Sequence, residues 1–234
     1  MIEHLLHPAL KTHAPALLAL IARCQDRVPN PEELSAWMDE DDDLSIAYHW
    51  AESLLSANQY RCMGGNVYFV PVLSKEACAA IIDQAEGLAI NGGWKRNDCE
   101  PSEYQIPEIV VRQRNQPFHD LLAELVDYLN IFHALIYQCV ATKIGSIQFT
   151  KYSEHDCQNG NWHHDLDSDF TATISLAPHL FEGGGTDVRS TPVTSIHIPP
   201  LPAGWALLFN GKRIHHQGAP VTKGSRMLLT YWLS

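Results

Sequence analysis

The order of apolar and polar positions divides the chain into a helical first part and a β-rich second part. Leu17, Leu18, Leu20 and Ile21 follow His13-Ala14-Pro15 at helical spacing, and Pro is tolerated in a first helical turn, so a helix is expected to open there. Pro29-Asn30-Pro31 breaks the chain, Pro31-Glu32-Glu33 opens a second helix, and a third is predicted over 46–55. From Asn66 the pattern changes. Val67 to Pro71 reads as a strand, Ser74 is placed to cap a helix running through Leu88, and Ile106 to Val111 is again strand-like. Leu121, Leu122, Leu125, Leu129, Phe132, Leu135 and Ile136 predict one long helix over 118–140 with a buried face.

After Lys143 the character is β throughout. Short segments at 144–152, 170–176, 195–198, 205–209 and 226–233 are separated by Gly, Pro and Asn clusters, which suggests a barrel or jelly roll. The expected fold is therefore α+β, with N-terminal and central helices buttressing the sheet. The division expected is a helical N-terminal segment, 1–65, and a main domain, 66–234.

Composition narrows the classes of function. A chain of 234 residues that is 45% hydrophobic and 18% charged can bury a sizeable core and is too apolar for disorder. Its 16 Lys and Arg face 27 Asp and Glu, a net charge of −11, which argues against a nucleic-acid partner and suits a neutral or cationic substrate. The acidic run from Asp39 to Asp43 reads as a solvated loop or helix end. Cys24, Cys62, Cys78, Cys99, Cys139 and Cys157 form no C-x-x-C pair, so neither a disulfide framework nor a zinc site is expected. With no run of 18 apolar residues and no secretory pattern, a soluble, reduced, cytoplasmic protein with no membrane partner is the expectation.

Candidate chemistry lies in the histidines, of which there are 13. Two pairs stand out, Trp162-His163-His164-Asp165 and Ile214-His215-His216-Gln217. Residues two apart in a strand share a face, so His163 and Asp165 can reach one ion together while His164 points away. A second His from a distant strand would complete two imidazoles and one carboxylate. That set leaves three adjacent coordination positions open, the facial arrangement of non-haem Fe(II) oxygenases. Downstream, Arg226 enters a strand with Leu228, Thr230 and Trp232 on its face. Burying it there is costly without an anion, and a dicarboxylate would suit its bidentate fork.

These motifs resemble the Fe(II)/2-oxoglutarate dioxygenases of the prolyl and lysyl hydroxylase type, from about Gln105 to the C-terminus. The resemblance is carried by Lys151-Tyr152, Trp162-His163-His164-Asp165, the Phe181-Glu182-Gly183-Gly184-Gly185-Thr186 run, Pro202-Ala203-Gly204-Trp205, and the stretch from His215 to Arg226. The doubled histidine and the glycine run are most similar to the catalytic domain of procollagen lysyl hydroxylases. It implies a double-stranded β-helix (jelly roll) over 66–234, with Fe(II) held by His163, Asp165 and His216. It implies Arg226 as partner of the far carboxylate of 2-oxoglutarate, with Tyr152, Thr171 and Thr173 lining the cosubstrate pocket. Spacing to Pro220 and Arg226 favours His216 over His215 as the distal ligand. His164 is expected near the substrate, His155, His179 and His197 at the surface or hydrogen-bonded, and Gly183 to Gly185 in a tight turn.

The implied activity is hydroxylation of an unactivated C–H bond with release of succinate and CO2. O2 is the co-reactant and ascorbate an accompanying reductant. A lysyl side chain, peptide-borne or free, is the first substrate expected, with a prolyl residue second, and a homodimer is among the assemblies the family allows. Asp167 and Asp169 beside the ligands would suit a cationic group. Collagen is set aside, since neither a secretory leader nor glycosyltransferase portions are present. Two rival classes remain open: a cupin-like metal-binding barrel, which gives Arg226 no role, and a catalytically silent interaction scaffold.

Overall fold

The computed structural model describes residues 2–24, 27–96, 101 and 104–234, so Cys99 lies outside the described residues. The first part folds as three helices, α1 (Pro8–Cys24), α2 (Pro31–Glu40) and α3 (Asp42–Ala57). Helix α1 begins seven residues before Pro15 because His7 Nδ1 caps it, accepting from the Ala9 N–H at 3.2 Å; Pro15 is interior and not in the first turn. Asn30 and Asp41 cap α2 and α3 through their side-chain oxygens, so the acidic run ends α2 with Asp39 and Glu40 and starts α3 from Asp41. The helical part ends at Ala57, and β1 (Gln59–Cys62) already pairs with β2 (Gly65–Pro71).

Ser74 caps α4 (Lys75–Gly92) as expected, its hydroxyl accepting from Ala77 N–H at 3.1 Å. The next strand, β3, is shorter than expected, Glu108–Val110. The long helix expected over 118–140 is two, α5 (Gln116–Ala123) and α6 (Leu125–Tyr137), each burying a different face. Phe118 of α5 stacks on Phe149, while Phe132 of α6 meets Trp50 of α3, and one straight helix does not serve both. Gln138, at φ 57°, ends α6 in the left-handed conformation before Val140.

The β-rich part contains β4 (Ile144–Ser153), β5 (Phe170–Ser175), β6 (Phe181–Gly183), β7 (Thr186–Arg189), β8 (Ser195–Ile198), β9 (Trp205–Phe209), β10 (His216–Gly218) and β11 (Val221–Leu233). The large sheet runs β1-β2-β9-β5-β11-β4-β3, with β6 added beside β11, and the small sheet runs β10-β7-β8; every pairing is antiparallel.

Alternation along the central strands sorts the two faces of the large sheet. Ile147 and Phe149, Ala172 and Ile174, Ala206 and Leu208, and Met227, Leu229, Tyr231 and Leu233 turn to one face and join the core formed with the helices. Leu10, Leu17, Ala47, Ala51 and Phe132 fill the other side of that core. Residues of opposite parity, among them Gln148, Tyr152, Thr171, Thr173, Arg226 and Thr230, line a cavity on the other face. Val67, Phe69, Val188 and Ile198 pack with Leu207 and Phe209, which also line the cavity, to close the space between the two sheets.

Candidate active site

The cavity holds about 360 Å³, within the range of small-molecule sites. On one wall His163, Asp165 and His216 each offer a ligand atom, and these atoms lie within 4.8 Å of one another. Their backbones are tied. His163 and His216 exchange a pair of main-chain hydrogen bonds, at 2.9 and 3.0 Å, and Asp165 N–H donates to Gly211 O at 3.0 Å. Gly211 has to be glycine here: a Cβ would stand 2.6 Å from Thr171 Oγ1 and 2.8 Å from Asp165 Cβ.

Each imidazole is also oriented. His163 Nδ1 lies 2.9 Å from Asn161 O, and His216 Nδ1 lies 3.0 Å from Ile214 O. A carbonyl only accepts, so these contacts place the proton on Nδ1 and turn the Nε2 lone pair toward the cluster. His163 Nε2 is 3.4 Å from Asp165 Oδ1, and His216 Nε2 is 3.9 Å from Asp165 Oδ2. Thr171 donates to Asp165 Oδ2 at 2.7 Å, which fixes the carboxylate from behind.

Electrostatics agree with this state. Burial pushes the His216 imidazole down to about 4, so it stays neutral at ordinary pH. Burial also works to raise the Asp165 carboxyl, but the adjoining His163 and His216 imidazoles and the Thr171 hydroxyl that donates to Oδ2 outweigh it and leave the group below its ordinary value. Two imidazole Nε2 atoms and one carboxylate are the donor set that a divalent transition metal takes, and all three face one point; the residues fit such an ion.

Arg226 lines the same cavity, 5% exposed. Its Nη1 donates to Gly185 O at 2.6 Å, and Cζ lies 5.4 Å from the Tyr152 ring centroid. It forms no ion pair among the described residues, and burial lowers its pKa from the ordinary value. The glycine run makes this position: Gly183, Gly184 and Gly185 have φ of 74°, 70° and 96°, and a Cβ on Gly184 would approach Arg226 Cδ to 3.3 Å.

The remaining expected residues divide. Tyr152, Thr171 and Thr173 all line the cavity, with the Thr171 hydroxyl committed to Asp165. His215 turns away from the ligand cluster and stacks on His164 at 4.6 Å, while His164 reaches the cavity. Asp167 is exposed at the cavity rim, but Asp169 pairs with Lys212 Nζ at 2.8 Å. His155 and His179 are exposed, and His197 bonds Asp187 at 2.8 Å. Glu108 and Gln148 were not singled out from the sequence, although Gln148 shares strand parity with Tyr152 and was legible on that ground.

Among the described residues no helix is long and apolar enough to cross a membrane. No protein-family model matches the chain. It is similar to procollagen-lysine,2-oxoglutarate 5-dioxygenase 1 of Mus musculus, 26% identical over 198 residues, which is 76% of this chain and 26% of that protein. The chain thus spans about a quarter of the length of the curated relatives it matches. Among solved structures it is similar to the non-heme alpha ketoglutarate dependent carbocyclase SnoK from nogalamycin biosynthesis, with TM-score 0.59, 13% identity, and coverage of 73% of this chain and 79% of that one. It is also similar to a Trichoplax adhaerens prolyl hydroxylase in complex with a hypoxia inducible factor peptide, with TM-score 0.55, 13% identity, and coverage of 71% and 82%. The resemblance to lysyl hydroxylases therefore extends further along the chain than its motifs, and the fold is the expected double-stranded β-helix.

Proposed function

We propose that the protein is an Fe(II)- and 2-oxoglutarate-dependent dioxygenase that hydroxylates an unactivated C–H bond, a lysyl side chain being the first substrate and a prolyl residue the second. The observation that carries this reading is one cavity holding both a metal-ligand triad and a buried arginine with no carboxylate partner among the described residues. A metal-binding barrel of another class has no use for that arginine.

His163, Asp165 and His216 would hold the iron, and Arg226 would take the far carboxylate of the cosubstrate. Bound together, iron, 2-oxoglutarate and dioxygen supply oxidative decarboxylation to succinate and CO2 and hydroxylation of the C–H bond, with ascorbate as accompanying reductant. The protein's own part is positional. Asn161 O and Ile214 O hold both histidines in the Nδ1–H tautomer. The Thr171 hydroxyl orients the Asp165 carboxylate, and Gly185 O holds the Arg226 guanidinium in place. Phe209, edge-on to His216 at 4.6 Å, together with Leu207 limits water on the buried side. The substrate enters from the rim where Leu166 is 72% exposed.

The similarity to procollagen-lysine,2-oxoglutarate 5-dioxygenase supports a lysyl substrate, and the prolyl hydroxylase structure holding a peptide supports a peptide-borne one. The test is an anaerobic titration of metal-free protein with Fe(II) and then 2-oxoglutarate. A weak visible charge-transfer band, absent in His216→Ala, is expected. Bound iron with no band would overturn the reading in favour of another class of metal barrel.

A further inference from the structure

The cavity carries more negative charge than a metal and a cosubstrate account for. Among its described lining residues stand the carboxylates of Glu108, Asp165 and Asp167 against the guanidinium of Arg226, with His216 neutral. If Asp165 serves the metal and Arg226 the cosubstrate, two carboxylates remain with no fixed cation. Asp167 is exposed at the rim, where water screens it. Glu108 is half-buried on the cavity floor and forms no ion pair among the described residues; burial alone raises its carboxyl.

A second group beside it is unmatched. Gln148 is 4% exposed, lines the cavity, and makes no side-chain hydrogen bond among the described residues. Buried carboxamides are normally paired, so one aimed into a cavity marks a place where a ligand or water completes it. Register puts the two groups together: Glu108 stands opposite Thr150 on β4, and Gln148 lies two residues along on the same face. Carboxylate, hydroxyl and carboxamide thus present three acceptors on adjoining positions of one floor. The Ile106 and Leu228 side chains lining the same cavity give an apolar wall.

We propose that Glu108 and Gln148 form the subsite that receives the protonated primary amine of the substrate. A primary ammonium has three donors and no acceptor, which matches Glu108, Thr150 and the Gln148 oxygen in turn. A guanidinium can fork onto the one carboxylate, but its donors lie in a single plane and do not converge on three acceptors as an ammonium's do. The methylene stem of the amine would lie along Ile106 and Leu228. As the site of the hydroxylated substrate this rests on the dioxygenase reading; as an amine-binding site it does not.

The test is equilibrium binding to the metal-free protein of three probes: N-acetyl-lysine methylamide, its N6-acetyl derivative and the arginine counterpart. The lysine probe is expected to bind at least about tenfold more tightly than the N6-acetyl probe, and Glu108→Gln to abolish that preference. Glu108→Asp, which keeps the charge, should retain most of it, and Gln148→Met should weaken the lysine probe severalfold. Thermal melts show that each variant is folded. Equal binding of charged and acetylated probes, a preference that survives Glu108→Gln, or a stronger preference for the arginine probe would overturn the assignment. So would loss of 2-oxoglutarate affinity in Glu108→Gln matching that in Arg226→Met, which would place the carboxylate in the cosubstrate site. If the amine preference depends on Glu108 while 2-oxoglutarate fails to bind the metal-loaded wild type, the subsite stands and the dioxygenase reading falls.

Discussion

Replacing Arg226 with Met separates an arginine that holds the fold together from one kept for a ligand. The guanidinium is 5% exposed, and its hydrogen bond runs to Gly185 O at 2.6 Å. Losing that charged hydrogen bond costs about 1.5–3 kcal/mol, while the Gly185 carbonyl keeps the Ala219 N–H at 3.0 Å. Against this, removing a desolvated charge that has no counter-ion returns several kcal/mol, and Met fills irregular space well. The terms nearly cancel. The metal-free variant should therefore melt within a few degrees of wild type or above it, at about 2–4 °C per kcal/mol for a chain of this size. Cosubstrate binding should respond very differently. Breaking a buried arginine–carboxylate pair costs about 3–5 kcal/mol, or roughly 10²- to 10⁴-fold in Kd. Calorimetric melting of the metal-free protein and titration of 2-oxoglutarate into the Mn(II)-loaded protein measure the two quantities separately. A melting point lowered by roughly ten degrees or more, with 2-oxoglutarate affinity within about threefold of wild type, would make Arg226 structural and refute the reasoning.

Three further outcomes are expected. His216→Ala should abolish metal-dependent succinate formation and leave the circular dichroism spectrum intact; undiminished succinate would remove His216 from the ligand set. Thr171→Val keeps the side-chain shape and deletes the 2.7 Å bond to Asp165, so metal affinity measured by competition with a chelating dye should fall about 10- to 100-fold. An unchanged affinity would show that the carboxylate needs no such support. His133 of α6 sits stacked on Phe170, and burial pushes it down to about 3 from 6.5. Because the folded pKa is depressed, the unfolded chain binds the extra proton between those values. The stability His133 contributes is complete above 6.5 and declines as pH falls, by about 2 kcal/mol at pH 5. His133→Leu should flatten the drop in Tm between pH 7 and pH 5, and a parallel drop in both proteins would count against the burial argument.

Much of the site was legible because its chemistry is concentrated in short runs. His163 and Asp165 needed only strand parity, and Arg226 stood out as a charge entering an apolar strand. The preference for His216 over His215 rested on spacing, and the fold gives the reason: β10 begins at His216, so parity sends His215 outward to stack on His164. What the pattern hid was long-range. The strands β1, β6, β7 and β10 are three or four residues each, too short to show a period, and exist because partners across the sheets complete their ladders. Glu108 was hidden for another reason, and Gln148 showed only through its shared parity with Tyr152. An isolated Glu and Gln in strands read as solvent-facing, and only the burial of their face by the folded chain makes their lack of partners meaningful. The break between α5 and α6 was likewise invisible, since apolar spacing continues through it while the surfaces to be covered change.

Backbone hydrogen bonds fix the geometry of the candidate ligand set. His163 and His216 come from segments more than fifty residues apart, yet their main chains exchange two hydrogen bonds, and Asp165 is tied to Gly211 by a third. Their rings are set by Asn161 O and Ile214 O, and the carboxylate by Thr171. The core that carries these contacts is packed from helices and the large sheet on the opposite face. Metal binding should therefore act as simple ligand linkage and not as a folding requirement, unlike small domains whose fold is built around an ion. Stripping the protein with a chelator should leave its secondary structure unchanged. The lost stability should be limited to RT ln(1 + [M]/Kd), about 4 kcal/mol for metal held at a thousandfold excess over Kd. The midpoint in denaturant should also rise with the logarithm of free metal concentration while the slope m stays constant. A chelated protein that loses its cooperative transition, or whose m falls by a large fraction, would show that the ion organises the sheet, and that the preformed ligand set is a consequence of metal and not its cause.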